Sequence, residues 1–150
     1  MKIKIGFTIF ILLVVIFAFI LINDNRKGVD QTYLLPLNYE GCVIIYYDIE
    51  NAPPLEIVDN MITYEVPKDG IIETSSPMEF GWVSRNHSGS YQLHAFYIDK
   101  NGNKVRELTH DEMPFGATGS MESEEKEQHY YMQFFGPDGI ENKGCPAAEF

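Results

Sequence analysis

The chain has 150 residues with 22 acidic and 11 basic side chains, and it opens on one long apolar run. Beyond Gly28, 122 residues carry 21 acidic and 7 basic groups, a formal charge of −14, together with 16 of the 20 aromatic residues. That is one domain's worth of chain with enough apolar mass to fold, which excludes a disordered tail. Its charge excludes a protein built for nucleic acid or an anionic membrane surface, because both reward clustered positive charge.

The leader comes first. Ile5 to Ile22 carries no charge, and as a helix it would reach roughly 27 Å, close to the hydrocarbon thickness of about 30 Å. A cleaved signal peptide would end in small residues of an A-x-A type. Here Ala18 is followed by Phe19, Ile20, Leu21 and Ile22, and no cysteine follows to accept a lipid. The expectation is an uncleaved single-pass anchor over residues 1–28, with a domain over residues 29–150 outside the cytoplasm. Lys2 and Lys4 before the run, against Arg26 and Lys27 after it, tilt the orientation only slightly that way.

After a polar linker at Lys27–Gln31 the pattern changes to short apolar runs broken by Pro, Gly, Asn and Asp. Cys42 to Tyr47 is continuous and β-branched, as in a strand buried on both faces. Asn51-Ala52-Pro53-Pro54 closes it. Ile62, Tyr64 and Val66 alternate with Thr63 and Glu65, a half-buried strand. Pro67-Lys68-Asp69-Gly70 supplies turn chemistry, and Ile71–Thr74 leaves it as the expected partner strand. Gly81-Trp82-Val83 is a candidate short strand. Gln92–Ile98 and Lys104–Leu108 flank Asp99-Lys100-Asn101-Gly102-Asn103, a hairpin signal. Tyr130–Phe135 is the last strand, and the charge run Glu122–Glu127 before it reads as a solvated loop or a short helix. Six or seven such strands predict an all-β fold, an antiparallel β-sandwich or a partly open barrel.

Tyr33-Leu34-Leu35-Pro36, Tyr39-Glu40-Gly41, Val43–Tyr47, Asn51-Ala52-Pro53, Val66-Pro67-Lys68-Asp69-Gly70-Ile71 and Thr74-Ser75-Ser76-Pro77 occur in an order that resembles an uncharacterised family of small exported bacterial proteins. Its members are commonly lipoproteins and are known only as a domain of unknown function. Tyr97–Gly102 and Phe115-Gly116-Ala117-Thr118-Gly119 extend the likeness, and the chain departs from it in lacking a lipid-accepting cysteine. The resemblance implies an exported β domain and brings no activity. More loosely, the turn pattern is similar to prealbumin-type sandwich modules.

Few residues point to chemistry. Cys42 and Cys145 are the only cysteines. Bridged, they would close a loop of about 100 residues and contribute roughly 4–5 kcal/mol. Unbridged, Cys42 is a small buried hydrophobe and Cys145 hangs on the tail. His110-Asp111-Glu112 is the one place where a histidine adjoins carboxylates, so a metal-dependent accessory or hydrolytic role would rest there. Consecutive residues diverge, however, and a surface turn explains them as well. His94, in register with Phe96 and Ile98, reads as a core histidine. Asp99-x-Asn101-x-Asn103 has the start of a calcium loop without its glycine or its closing glutamate. The chain has no nucleophile elbow, no phosphate-binding glycine loop and no cofactor motif. The favoured expectation is therefore a non-enzymatic binding module, tethered by its helix. It would offer Trp82 and Phe115, in Phe80-Gly81-Trp82 and Met113-Pro114-Phe115-Gly116, to an envelope protein or wall component.

Overall fold

The computed structural model describes residues 10–15, 27–122 and 127–146. Of the apolar leader only residues 10–15 are included, and they are helical. The anchor expected over Ile5–Ile22 otherwise lies outside the described residues. Among the described residues no helix is long and apolar enough to cross a membrane.

Nine strands are described: β1 (Asp30–Pro36), β2 (Gly41–Tyr46), β3 (Ile57–Val58), β4 (Met61–Glu65), β5 (Ile71–Glu73), β6 (Leu93–Ile98), β7 (Lys104–Glu107), β8 (Gly116–Glu122) and β9 (Glu127–Phe135). They form a five-stranded sheet in the order β3-β4-β1-β6-β7 and a four-stranded sheet in the order β5-β2-β9-β8. One core joins the two. Tyr33 and Leu35 of β1, Ile62 and Tyr64 of β4 and Ala95 and Tyr97 of β6 meet Val43 and Ile45 of β2 and Phe135 of β9.

The sheets are mixed, not antiparallel as the sequence suggested. β1 runs parallel to both β4 and β6, and β2 runs parallel to β5. The reason lies in how the chain alternates between layers. Pro67–Gly70 does form a turn, with the Gly70 amide donating to the Pro67 carbonyl at 3.0 Å and Gly70 at φ +76°. Yet β4 enters it from the first sheet and β5 leaves it into the second. A short turn thus becomes an arch between layers, and the parallel pairs arise because the intervening chain has visited the opposite sheet. Gly70 has no substitute here. A Cβ would run into the Tyr39 hydroxyl and the Cys42 carbonyl oxygen.

β2 is buried on both faces, as its unbroken apolar run demands. Val43, Ile45 and Tyr47 face the inter-sheet core, while Cys42 packs outward with Phe134 and Ile140. Covering that outer face is the C-terminal segment, which carries a 3-10 turn at Ile140–Lys143 and is tied down by a disulfide between Cys42 and Cys145, 103 positions apart. The half-buried alternation of β4 holds, with Ile62 and Tyr64 buried and Thr63 and Glu65 exposed. So does the hairpin. Asp99 Oδ1 accepts from the backbone amides of Asn101 at 2.8 Å and Asn103 at 2.9 Å, and the Asn103 side-chain amide, which donates to Oδ2 at 3.0 Å, together with these backbone bonds holds its carboxyl below the usual range. The calcium-like spacing is a hairpin's Asx turn.

Other local expectations shift. Gly81-Trp82-Val83 is turn and bend, not strand. His94 is not in the core: β6 buries Ala95 and Tyr97, so His94 takes the outer face, where its Nδ1 lies 2.8 Å from Glu107 Oε1. Within the charge run, Glu122 ends β8 and Glu127 begins β9, and residues 123–126 lie outside the described residues.

Candidate functional site

Residues 74–92, between β5 and β6, make a connection well beyond the roughly 12–15 residues that structureless loops usually reach, a length that tends to accompany function. Tight turns fold it against the sandwich. The Phe80 amide donates to the Pro77 carbonyl at 3.0 Å, and the Trp82 amide to the Glu79 carbonyl at 3.0 Å. Gly81 then takes φ +82° and lies so close to Ile62 and Val29 that a Cβ would stand 2.9 Å from Ile62 Cδ1. Glycine is thus what lets Trp82 follow directly on a segment pressed to the core. Further on, the loop binds the start of the domain, with the Gly28 amide donating to the Ser90 carbonyl at 2.9 Å and the Val29 amide to the Gly81 carbonyl at 3.1 Å.

Between this loop and both sheets lies a cleft of about 220 Å³. The loop contributes Met78, Phe80, Trp82, Ser88 and Tyr91, the first sheet Gln31 and Tyr64, and the second sheet Thr118, Tyr131 and, from the end of β2, Tyr47. Six of these ten are aromatic and none is charged. Four are tyrosines, and Tyr47 and Tyr64 share a hydrogen bond. Burial pushes the hydroxyl of Tyr64 up to about 12 and also raises those of Tyr47 and Tyr131 above the usual tyrosine range. These three therefore stay protonated at neutral pH; Tyr131 spends its proton on Gln133 Oε1 at 2.9 Å, and one of Tyr47 and Tyr64 spends its own on the other, which leaves the set mainly as acceptors with one donor to spare.

Tyr33 lies behind this lining. It is fully buried, its ring 4.8 Å from that of Tyr64 and 5.1 Å from that of Phe135. Burial, and then Tyr64, Tyr47, Tyr131 and Tyr91, raise its hydroxyl well above the usual tyrosine range. Among the described residues it is the one buried side-chain polar atom without a hydrogen-bond partner.

Trp82 and Phe115, paired in the sequence expectation, fall in different places. Trp82 is half-buried in the cleft wall, whereas Phe115 precedes β8, is 47% exposed and packs on Phe134 with ring centroids 6.2 Å apart. The tyrosines of the cleft went unremarked in the sequence, because Tyr47, Tyr64 and Tyr131 read as ordinary strand residues. A glycine followed by the chain's only tryptophan inside a long loop was the available signal.

His110-Asp111-Glu112 forms an exposed 3-10 turn. Glu112 is committed elsewhere. Arg106 donates to it from both terminal guanidinium nitrogens, at 2.8 and 2.9 Å, and the amide and hydroxyl of Thr109 donate to its Oε2 at 3.0 and 3.1 Å. Among the described residues no group of three or more His, Cys, Asp or Glu is placed to hold a metal. The Arg106 pairing, and then Thr109, hold the Glu112 carboxyl at about 2, below its ordinary 4.5. A depressed folded value contributes stability that is present above the unfolded pKa and lost as pH falls toward the folded one. Acid titration from pH 4.5 to 2 should accordingly cost wild type more stability than Glu112→Gln. The pair is largely exposed, so the difference is about 1 kcal/mol or less. Equal losses in both proteins, measured by urea unfolding at each pH, would remove Glu112 from the acid response.

A family model described as "Family of unknown function (DUF6843)" matches residues 27–143. The chain belongs to that family. The DUF6843 match takes in both sheets, the long loop and all ten residues of the cleft, and it stops two positions short of Cys145. A solved structure named "Putative Lipoprotein from Bacillus anthracis" is similar to this DUF6843 chain with a TM-score of 0.61 and 20% identity, covering 83% of this chain and 82% of that one. At that identity the likeness bears on fold alone. None of the curated proteins matches the chain.

Proposed function

We propose that the protein is a membrane-tethered binding module outside the cytoplasm, without catalytic machinery, and that its cleft engages a component of the cell envelope. The observation that carries this reading is the cleft itself, uncharged, walled by six aromatic side chains and fed by a loop from outside the sheet framework. Sites of this kind, apolar with a few convergent polar groups, are where small ligands or anchoring side chains are held. Three further features support the location. The apolar leader has the length of a span. A Cys42–Cys145 bridge suits an oxidising compartment. The Bacillus anthracis protein of similar fold carries the name of a lipoprotein, a class held at the membrane.

Protease added to intact cells should remove the folded part while the leader stays with the membrane fraction. An envelope component should be retained by the wild-type protein and released by Trp82→Ala with its far-ultraviolet circular dichroism unchanged. Protection from protease, or retention that is indifferent to Trp82, would overturn the reading.

A further inference from the structure

The wall of the cleft is specific about what it can hold. It contains no carboxylate, ammonium or guanidinium, so an ion bound there would lose water without gaining a counter-charge. The formal charge of −14 over residues 29–150 adds repulsion against anions. A plain hydrocarbon fits no better: Tyr131 donates to Gln133 Oε1 at 2.9 Å and Tyr47 and Tyr64 share a hydrogen bond, but their remaining capacity, with the hydroxyls of Tyr91, Ser88 and Thr118, would be cut off from water. What satisfies both sides is a neutral molecule with a C–H face for the aromatic rings and hydroxyl or amide groups at its edge. The faces of Trp82, Phe80 and the tyrosines carry the negative end of their quadrupoles, to which polarised C–H bonds are attracted. The lining hydroxyls can all accept, and those whose protons are not already spent within the protein can donate, which matches a rim of ligand hydroxyls. Size narrows the choice further. At about 220 Å³ the space falls below the roughly 300–1,000 Å³ of drug-sized sites and takes one ring.

We infer that the cleft between the residue 74–92 loop and the two sheets binds a single uncharged sugar ring, stacked on Trp82 and hydrogen-bonded by the surrounding tyrosines. This rests on the envelope-binding reading and names its ligand class.

Trp82 is the chain's only tryptophan, so its fluorescence reports occupancy of the cleft directly. The full-length protein, in a polyoxyethylene detergent whose headgroup has no sugar ring, is titrated with chitotriose and with maltotriose, and with glycerol as a control polyol. At least one trisaccharide should give a saturable change in emission with a dissociation constant of about 1 mM or tighter, while glycerol gives none. Tyr91, 39% exposed on the loop, can be replaced without opening the core. Tyr91→Ala should weaken binding by up to about tenfold and Tyr91→Phe by less, because the ring is kept. Absence of a saturable response to either sugar, a response shared by glycerol, or one unchanged in Tyr91→Ala overturns the inference. If sugars fail while an envelope component is still retained through Trp82, the broader function stands and the sugar assignment alone falls.

Discussion

Cys145→Ala lowers the stability of the folded unit by about 2–5 kcal/mol, the largest effect expected of any single change outside the central core. Its cause lies mostly in the unfolded chain. A crosslink between positions 103 apart removes a long loop's worth of freedom from the denatured ensemble, about 4.7 kcal/mol on the chain-entropy model for a loop near that length. For a unit of this size the melting temperature should fall by on the order of 10 °C. Cys145→Ala is a cleaner test than a change at Cys42, which is 3% exposed and would carry a packing cost of its own. Reductant should bring wild type down to the variant's urea midpoint and leave the variant unmoved. A wild-type midpoint insensitive to reductant would show that the bridge contributes nothing. Locally, the first casualty should be the outer face of β2, where Ile140 and Cys145 cover Phe134 and Cys42.

Tyr33 gives the second large effect, and one with a change of sign. Tyr33→Ala empties a fully buried space between Tyr64 and Phe135 and costs about 3–5 kcal/mol. Tyr33→Phe keeps the ring and deletes a buried hydroxyl that has no protein partner, so it should be neutral or stabilising by about 1 kcal/mol. Chemical unfolding of both variants decides the matter. A Tyr33→Phe loss of 1 kcal/mol or more would mean that the hydroxyl has a partner in solution, and the account of the core behind the cleft would need that partner.

The chain states its local structure plainly and its long-range pairing poorly. Cys42–Tyr47 shows a strand buried on both faces because every position is apolar, and the core on one side and the C-terminal cover on the other bear it out. Asp99–Asn103 shows a hairpin because its side chains bind their own backbone. Pro67–Gly70 shows a turn, but turn chemistry is the same whether the chain comes back in one sheet or climbs into another. Hence the parallel pairs went unread. β8, with Gly116, Thr118, Gly119 and Ser120, has too little apolar character to announce a strand, and it exists by pairing with β9. His94 was assigned to the core because Phe96 and Ile98 share its parity. β6 instead turns Ala95 and Tyr97 inward, in register with the buried Tyr33 and Leu35 of β1, a pairing that no local pattern reports. For the cleft, Trp82 was visible and the tyrosines were not, since only the folded arrangement turns strand residues into a wall.

The hydrogen bonds from Gly28 and Val29 to Ser90 and Gly81 give the cleft an address. These residues follow the apolar leader by only a short stretch of chain, so on the proposed anchoring the loop that walls the cleft would lie toward the membrane end of the domain. If the leader lies in lipid, as proposed, the five residues from Asn23 to Lys27 would allow a stand-off of at most about 18 Å even when stretched straight. Such a module would sample only the layer hugging the bilayer, and distant strata of the envelope would be beyond its grasp.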